Sequence, residues 1–173
     1  IAVGGQQHGM VLLDESDAVV RPALLWNDTR SAGSADDLVA ELGAQAWADA
    51  TGVVPVAATT VSKLRWMADH EPENLARAST CVLPHDWLTG RILGEGSSGP
   101  RAWTTDAGDA SGTGYWSAGT RSYREDLLTL ARSDGPDFVV LGAVELSALT
   151  LGVLPRARPL ADRGWPPDAV GAA

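Results

Sequence analysis

The apolar residues of this chain change their spacing after about position 30, and this change constrains the fold more than any other feature. Before it, short apolar runs predict strands at Ile1–Val3, Met10–Leu13, Ala18–Val20 and Ala23–Trp26. After it, Leu38, Leu42 and Ala46 recur every four positions, which predicts one helix over Ala35–Ala50 with Ser34 as its N-cap. Strands followed by helices predict a mixed α/β domain with helices packed on a sheet.

The same kind of pattern predicts the later elements and the extent of the domain. Further helices are predicted at Thr60–His70, Glu73–Ala78 and Asp86–Leu93, with a strand at Thr80–Leu83. Ser122 and Glu125 have the spacing of a capping box, so another helix should begin there. From about Asp134 prolines accumulate and the apolar period is lost. We therefore divide the chain into a domain over residues 1–133 and a divergent or poorly ordered tail over residues 134–173.

The charge and cysteine content exclude several classes of protein. The 173-residue chain has 13 Lys and Arg against 22 Asp and Glu, a net charge of −9, so we expect no nucleic-acid partner. No apolar run approaches the ~18 residues of a membrane span and no secretion signal opens the chain, so we expect a cytoplasmic protein with no membrane partner. Cys81 is the only cysteine, which excludes an internal disulfide, and the histidines lack a zinc-type spacing, so no metal site is predicted.

Polar residues follow one predicted strand and a tryptophan ends another, and together they form the first candidate site. In α/β sheets, ligands bind beyond the carboxyl ends of strands, and Gln7 and His8 lie there between glycines. Their side chains offer donors and acceptors that suit a polyhydroxylated ligand, and Trp26 can supply a flat apolar wall to a sugar. The alternatives are a glycine-rich turn with a surface histidine, and a core tryptophan beside an Asp28–Arg30 pair. Spacing alone leaves both alternatives open.

Two other polar groups favour a structural interpretation over a catalytic one. Asp106 and Asp109 lie in a segment of small polar residues. Two such carboxylates suit either general-base catalysis or the binding of magnesium. Such segments more often form a helix N-cap within a loop, and this one lacks the spacing of a P-loop. His85 and Asp86 suggest an acid–base couple, but Asp86 is better explained as the cap of the following helix.

Several segments, in order, resemble the FGGY family of sugar kinases, and most closely its xylulokinases. The family pattern G-Q-M-H-G is matched by Gly5-Gln6-Gln7-His8-Gly9, and R-P-A-I-L-W-N-D-x-R by residues 21–30. The further matching segments are Thr51-Gly52, Ser62-Lys63-Leu64, His70-Glu71-Pro72-Glu73, Val82-Leu83-Pro84-His85-Asp86 and residues 105–113. Each segment is common by itself, but their order over residues 1 to about 132 is specific.

This resemblance implies a fold, a reaction and a set of contacts. The implied fold is the ribonuclease-H-like α/β fold of the actin and hexokinase type, here an incomplete N-terminal domain of a two-domain kinase without its leading strands. The implied reaction transfers the γ-phosphoryl group of ATP, with Mg²⁺, to the terminal hydroxyl of D-xylulose. By position in the family motifs, Gln7, His8 and Trp26 would contact the sugar, with Gln7 standing where the family usually has Met.

The resemblance also predicts what this chain does not do alone. The family's D-x-G-T turn and the G-G-x-D-N motif that carries the catalytic Asp do not occur in it, so no catalytic residue is assigned and we expect no turnover and poor binding of ATP and Mg²⁺. An unpaired edge at Ile1–Val3 would favour self-association, so a homodimer is one expected assembly. The alternatives are a non-catalytic sugar-binding module of the same fold and a kinase for another sugar or polyol.

Overall fold

The computed structural model describes residues 3–94, 103–133, 139–140 and 143–144. Its helices are α1 (Ala32–Leu42), α2 (Ala44–Thr51), α3 (Thr60–His70), α4 (Pro72–Arg77), α5 (Pro84–Gly94), α6 (Ala107–Ser111) and α7 (Glu125–Arg132). Its strands are β1 (Val11–Leu13), β2 (Thr80–Val82), β3 (Thr104–Thr105), β4 (Trp116–Ser117), β5 (Ser122–Tyr123), β6 (Val139–Val140) and β7 (Ala143–Val144). No helix in these ranges is long and apolar enough to cross a membrane.

The described strands form three small sheets. β2 is the middle strand of the largest sheet, antiparallel to β1 and parallel to β6, while β3 pairs with β7 and β4 with β5. The predicted strands at Met10–Leu13 and Thr80–Leu83 are confirmed apart from one terminal residue each. Ala18–Val20 and Ala23–Trp26 contribute only single bridges to this sheet, and the Ile1–Val3 strand lies mostly outside the described residues. Of the predicted tail over residues 134–173, the structure describes only β6 and β7.

The region predicted as one helix over Ala35–Ala50 is two helices, α1 and α2. Gly43 separates them with a φ of 91°, which glycine adopts without strain. The four-residue apolar repeat continues across this break, so the sequence pattern could not reveal it. α1 also begins earlier than predicted, with Ser31 in place of Ser34 at the N-cap position. The Ser31 hydroxyl donates to the Ala57 carbonyl at 2.8 Å, so it ties α1 to a distant loop instead of capping the helix.

Two predicted helix caps are also corrected by the structure. Asp86 is the third residue of α5, where its Oδ2 accepts the backbone N–H of Leu83 at 3.0 Å, so it caps the helix from within. Ser122 does not open α7, because it pairs with Ser117 in the β4–β5 ladder and its hydroxyl bonds Thr120. α7 therefore begins at Glu125 without the predicted capping box.

The main core is built around α3. Val61, Leu64 and Met67 on this helix are fully buried, and α3 packs against α1, α4 and α7. The Trp47 ring enters the same core, where its indole N–H donates to the Leu38 carbonyl at 2.9 Å. Cys81 lies in this core too, and burial raises the pKa of its thiol to about 12, as expected of an inert cysteine.

Lys63 is the only lysine of the chain and is fully buried in α3. Its ammonium donates to the carbonyl of Ala57 at 3.1 Å and also contacts the carbonyls of Ala58 and Thr59. Burial lowers the pKa of Lys63 to about 8, an effect that the charge of Asp28 opposes. The side chain therefore clamps the loop that enters α3.

Replacing Lys63 by Met tests this clamp. The substitution Lys63→Met keeps the aliphatic stem but leaves buried carbonyls without a donor, so we expect it to lower the free energy of unfolding by about 1–3 kcal/mol. Urea unfolding followed by circular dichroism measures the change. Arg77→Met, which removes an exposed cation from α4, is the control and should shift stability by less than about 0.5 kcal/mol. An equal effect of the two substitutions would contradict the clamp.

Candidate functional site

A cleft with a volume of about 550 Å³ lies in the described part of the chain. Its walls come from the loop before β1, the segment after Leu25, the start of α5 and the start of α6. The lining residues are Val3, Gly4, Gly5, Gln6, Gln7, His8, Trp26, His85, Asp106 and Asp109. The structure thus places all three of the predicted sugar-contacting residues, Gln7, His8 and Trp26, at one cleft.

Glycines allow the loop before β1 to lie directly against α5. A Cβ atom on Gly5 would lie 2.8 Å from the Cα of His85, and one on Gly9 would lie 2.6 Å from the Cγ of Pro84. Neither position accepts a side chain without movement of the helix start. The glycines that flank the polar segment therefore serve close packing, and this packing brings Gln7 and His8 into the same cleft as His85.

His8 is held by both its backbone and its ring. Its φ of 66° is a left-handed conformation that non-glycine residues adopt rarely, and such conformations cluster at functional sites. Its Nδ1 lies 2.8 Å from the carbonyl oxygen of Gly112. Because a carbonyl only accepts, Nδ1 carries the proton, and the neutral ring offers Nε2 as an acceptor.

Asp109 is the centre of a polar network in the cleft. The Gln7 side chain hydrogen-bonds its carboxylate, and the Nδ1 of His85 lies 3.2 Å from its Oδ2. Burial raises the pKa of Asp109, the nearby Asp106 carboxylate acts in the same direction, and His85 and Gln7 oppose both. The carboxylate is an acceptor already oriented by two partners.

His85 joins Asp109 to Asp86. Its Nδ1 lies 3.3 Å from Asp86 Oδ1, and the hydrogen bond to Asp86 raises the pKa of the imidazole, with further support from the charge of Asp109 and opposition from burial. Asp86 is in turn fixed by the backbone of Leu83. His85, Asp86 and Asp109 bring one potential ligand atom each within 4.8 Å of one another, but hydrogen bonds within the chain already engage these atoms.

Trp26 lies at the edge of the cleft with 54% of its surface exposed, so the alternative of a core tryptophan is wrong. The Asp28–Arg30 pair of that alternative is present, with Arg30 Nε 2.9 Å from Asp28 Oδ1. The guanidinium of Arg30 also lies over the Trp66 ring, 5.1 Å from its centre. The turn after Trp26 is thus fixed while the indole face stays open to a ligand.

α6 has the structural role that the sequence favoured, and it also borders the cleft. Asp106 is its N-cap, as predicted, and accepts the backbone N–H of Asp109 at 2.9 Å. Asp106 and Asp109 nevertheless also line the cleft, and so does His85. Local spacing shows caps but not which distant loop packs beside them, so the sequence did not assign these three residues to the site.

Comparison with known proteins points to one family. Residues 1–144 match the model of the N-terminal domain of the FGGY family of carbohydrate kinases. The xylulose kinase of Streptomyces coelicolor is 52% identical over 135 residues, 78% of this chain and 27% of that protein. The xylulose kinase of Streptomyces rubiginosus is 52% identical over 129 residues, 74% of this chain and 25% of that protein. The chain thus spans about a quarter of the length of these two relatives.

Solved structures show the same relationship. The xylulose kinase of Bifidobacterium adolescentis superposes with a TM-score of 0.71 at 42% identity, covering 76% of this chain and 31% of that one. The xylulose kinase of Rhodospirillum rubrum superposes with a TM-score of 0.70 at 27% identity, covering 83% of this chain and 28% of that one. The architecture described above is therefore that of the corresponding part of these kinases.

The network around His85 makes stability depend on pH. The pKa of His85 is raised above 6.5 in the folded state, so its contribution to the free energy of unfolding is complete below about pH 6.5 and is lost as pH rises through the folded pKa. Asp109, whose pKa is also raised, acts in the same direction but at lower pH, from its ordinary value of 3.8 upward. We expect stability to fall as pH rises above about 6.5, and His85→Gln to reduce this slope.

Urea unfolding of wild type and of His85→Gln at closely spaced pH values measures how steeply the free energy of unfolding of each protein changes with pH. His70→Gln, at the exposed end of α3, is the matched control and should leave the slope unchanged. Equal slopes in wild type and His85→Gln would contradict the network.

Proposed function

The chain belongs to the FGGY family of carbohydrate kinases, and from this premise we propose that it forms the sugar-binding wall of an enzyme that phosphorylates D-xylulose. Its fold is the ribonuclease-H-like α/β fold of the actin and hexokinase type that the resemblance implied. In the proposed reaction, the γ-phosphoryl group of ATP passes to the terminal hydroxyl of the sugar. The substrate in this proposal is the one that the relatives' names state. The chain matches about a quarter of the length of those relatives.

One observation carries the proposal: the cleft combines hydroxyl-binding groups with an open indole face. The Gln7 amide, the His8 ring and the Asp109 carboxylate provide both donors and acceptors at one cleft. Trp26 adds a flat apolar surface, and a few placed polar groups on an apolar wall are typical of small-molecule sites. A polyol matches this lining better than an anion or an apolar ligand.

The described lining does not fit the triphosphate of ATP. It contains two carboxylates, Asp106 and Asp109, and no lysine or arginine in the part of the chain that the structure describes. A triphosphate beside these carboxylates would meet like charge, without the lysine or arginine side chains that usually neutralise phosphates. We therefore assign no step through ATP or Mg²⁺ to these residues, and ATP with Mg²⁺ stays a proposal for the whole protein.

What this chain contributes to phosphoryl transfer is positioning. Such reactions depend mainly on placing the nucleophile and neutralising charge. Asp109 is engaged by Gln7 and His85, so we assign it to holding a sugar hydroxyl and not to taking its proton. No catalytic residue is assigned to the chain.

The absence of lysine and arginine from the described lining equally favours a second candidate, a sugar-binding module of the same fold without kinase chemistry. A kinase for another sugar or polyol is a variant of the first candidate. Glycerol-specific relatives resemble a pattern with Arg and Glu where this chain has Gln7 and His8, which favours xylulose. The domain boundary at residue 133, a homodimer and the cytoplasmic location stay predictions.

Sugar binding tests the site directly. We expect the 173-residue chain to bind D-xylulose in an NMR titration, and His8→Ala to weaken binding about 5–10-fold through loss of one hydrogen bond. His70→Ala, which removes an exposed histidine outside the cleft, is the control and should bind as wild type does. Equal affinity of His8→Ala and wild type would contradict the placement of the sugar, and tighter binding of glycerol than of D-xylulose would favour another substrate.

Turnover is the second test. We expect no ADP release from ATP by the 173-residue chain in a coupled assay with D-xylulose, because the G-G-x-D-N motif that carries the family's catalytic Asp does not occur in it. ADP release that depends on D-xylulose and is lost in Asp109→Asn would contradict this expectation and make Asp109 a catalytic residue. Activity in a longer protein that contains this domain would separate the kinase from the binding module.

A further inference from the structure

The ring of His8 lies directly on Gly112, the residue that follows α6. A Cβ atom on Gly112 would lie 2.3 Å from His8 Cε1 and 2.5 Å from His8 Nδ1. These distances are far below van der Waals contact, so any side chain there would displace the ring. Only glycine leaves the space that the imidazole occupies.

Gly112 does not need to be glycine for its own conformation. Its φ of −84° and ψ of −4° lie in the right-handed region that all L-residues adopt. The backbone therefore tolerates alanine without strain, and the conflict at this position is with the His8 ring alone.

The same residue also fixes the protonation pattern of the ring. The Gly112 carbonyl accepts the Nδ1 proton of His8 at 2.8 Å. In a neutral imidazole one nitrogen donates and the other accepts, so this bond leaves Nε2 as the acceptor. The left-handed backbone of His8, with a φ of 66°, fixes the direction in which the ring leaves the chain.

The segment that carries this carbonyl is itself anchored. Asp106 caps α6, and the backbone N–H of Val61 donates to the Thr113 carbonyl at 2.9 Å, which ties the end of α6 to α3. The Thr113 hydroxyl donates to the Ala110 carbonyl at 2.7 Å. The Gly112 carbonyl is thus a fixed reference point for the His8 ring.

We propose that Gly112 is a positioning residue of the sugar site: its carbonyl and its missing side chain hold His8 as the Nδ1–H tautomer, so that Nε2 accepts a hydrogen bond from a sugar hydroxyl. The hydroxyl contact rests on the proposed function, whereas the tautomer and the ring position do not. The arrangement selects a ligand that donates at this point, as a polyol does.

The tautomer is the first test and needs no substitution. Long-range ¹H–¹⁵N correlation spectra of the 173-residue chain distinguish the two neutral forms of each histidine. We expect the Nδ1–H form for His8. The Nε2–H form at His8 would overturn the proposal.

The second test compares Gly112→Ala with Gly33→Ala. A Cβ atom on Gly33, in α1, would meet no atom within 4 Å, so this control adds the same methyl group in open space. We expect Gly112→Ala to shift the His8 ring signals, to lose the Nδ1–H form and to bind D-xylulose about 5–10-fold more weakly. Gly33→Ala should change none of these.

A double variant separates positioning from general damage. In a His8→Ala background there is no ring to displace, so adding Gly112→Ala should cause no further loss of D-xylulose affinity. An additive loss in the double variant, or unchanged binding in Gly112→Ala alone, would overturn the proposal. Failure of wild type to bind D-xylulose would overturn the proposed function and the hydroxyl contact, while the tautomer spectra still decide whether Gly112 positions His8.

Discussion

The site depends on close packing of the loop before β1 against the start of α5 and the end of α6. At Gly5 and Gly9 the loop approaches α5, and at Gly112 the end of α6 approaches the loop, in each case at distances that exclude a side chain. Without this packing, Gln7 could not reach Asp109 and His8 could not reach the Gly112 carbonyl. The positions of the polar groups in the cleft thus depend on the three glycines, which leave room for this packing.

Sequence patterns predicted the elements of the fold better than their ends. Thr60–His70 matches α3 at both ends, because a single apolar face and the following proline define it. The break at Gly43 escaped prediction, because the apolar repeat continues through it and only the backbone conformation changes. The caps predicted at Ser34 and Ser122 were wrong for different reasons. α1 begins after Ser31, whose hydroxyl bonds a distant carbonyl, and the Ser122 hydroxyl bonds Thr120 beside a strand pair.

Only some residues of the candidate site could be predicted from the sequence. Gln7 and His8 follow one predicted strand and Trp26 ends another, where general rules place ligands, and all three line one cleft. His85 and Asp109 have good local explanations as neighbours of helix caps, so nothing in their own segments pointed to a cleft. Their role depends on contacts such as that between His8 and Gly112, which are 104 positions apart, and single-sequence spacing carries no information at that range.

Cys81 gives the fold a built-in chemical reporter. It lies on the middle strand of the largest sheet, between β1 and β6, and its thiol is buried with a pKa of about 12. A thiol-specific reagent can therefore reach it only when the core around it opens. Because the chain has one cysteine, the rate of its modification in native buffer measures how often the centre of the domain opens, without the need for an introduced label.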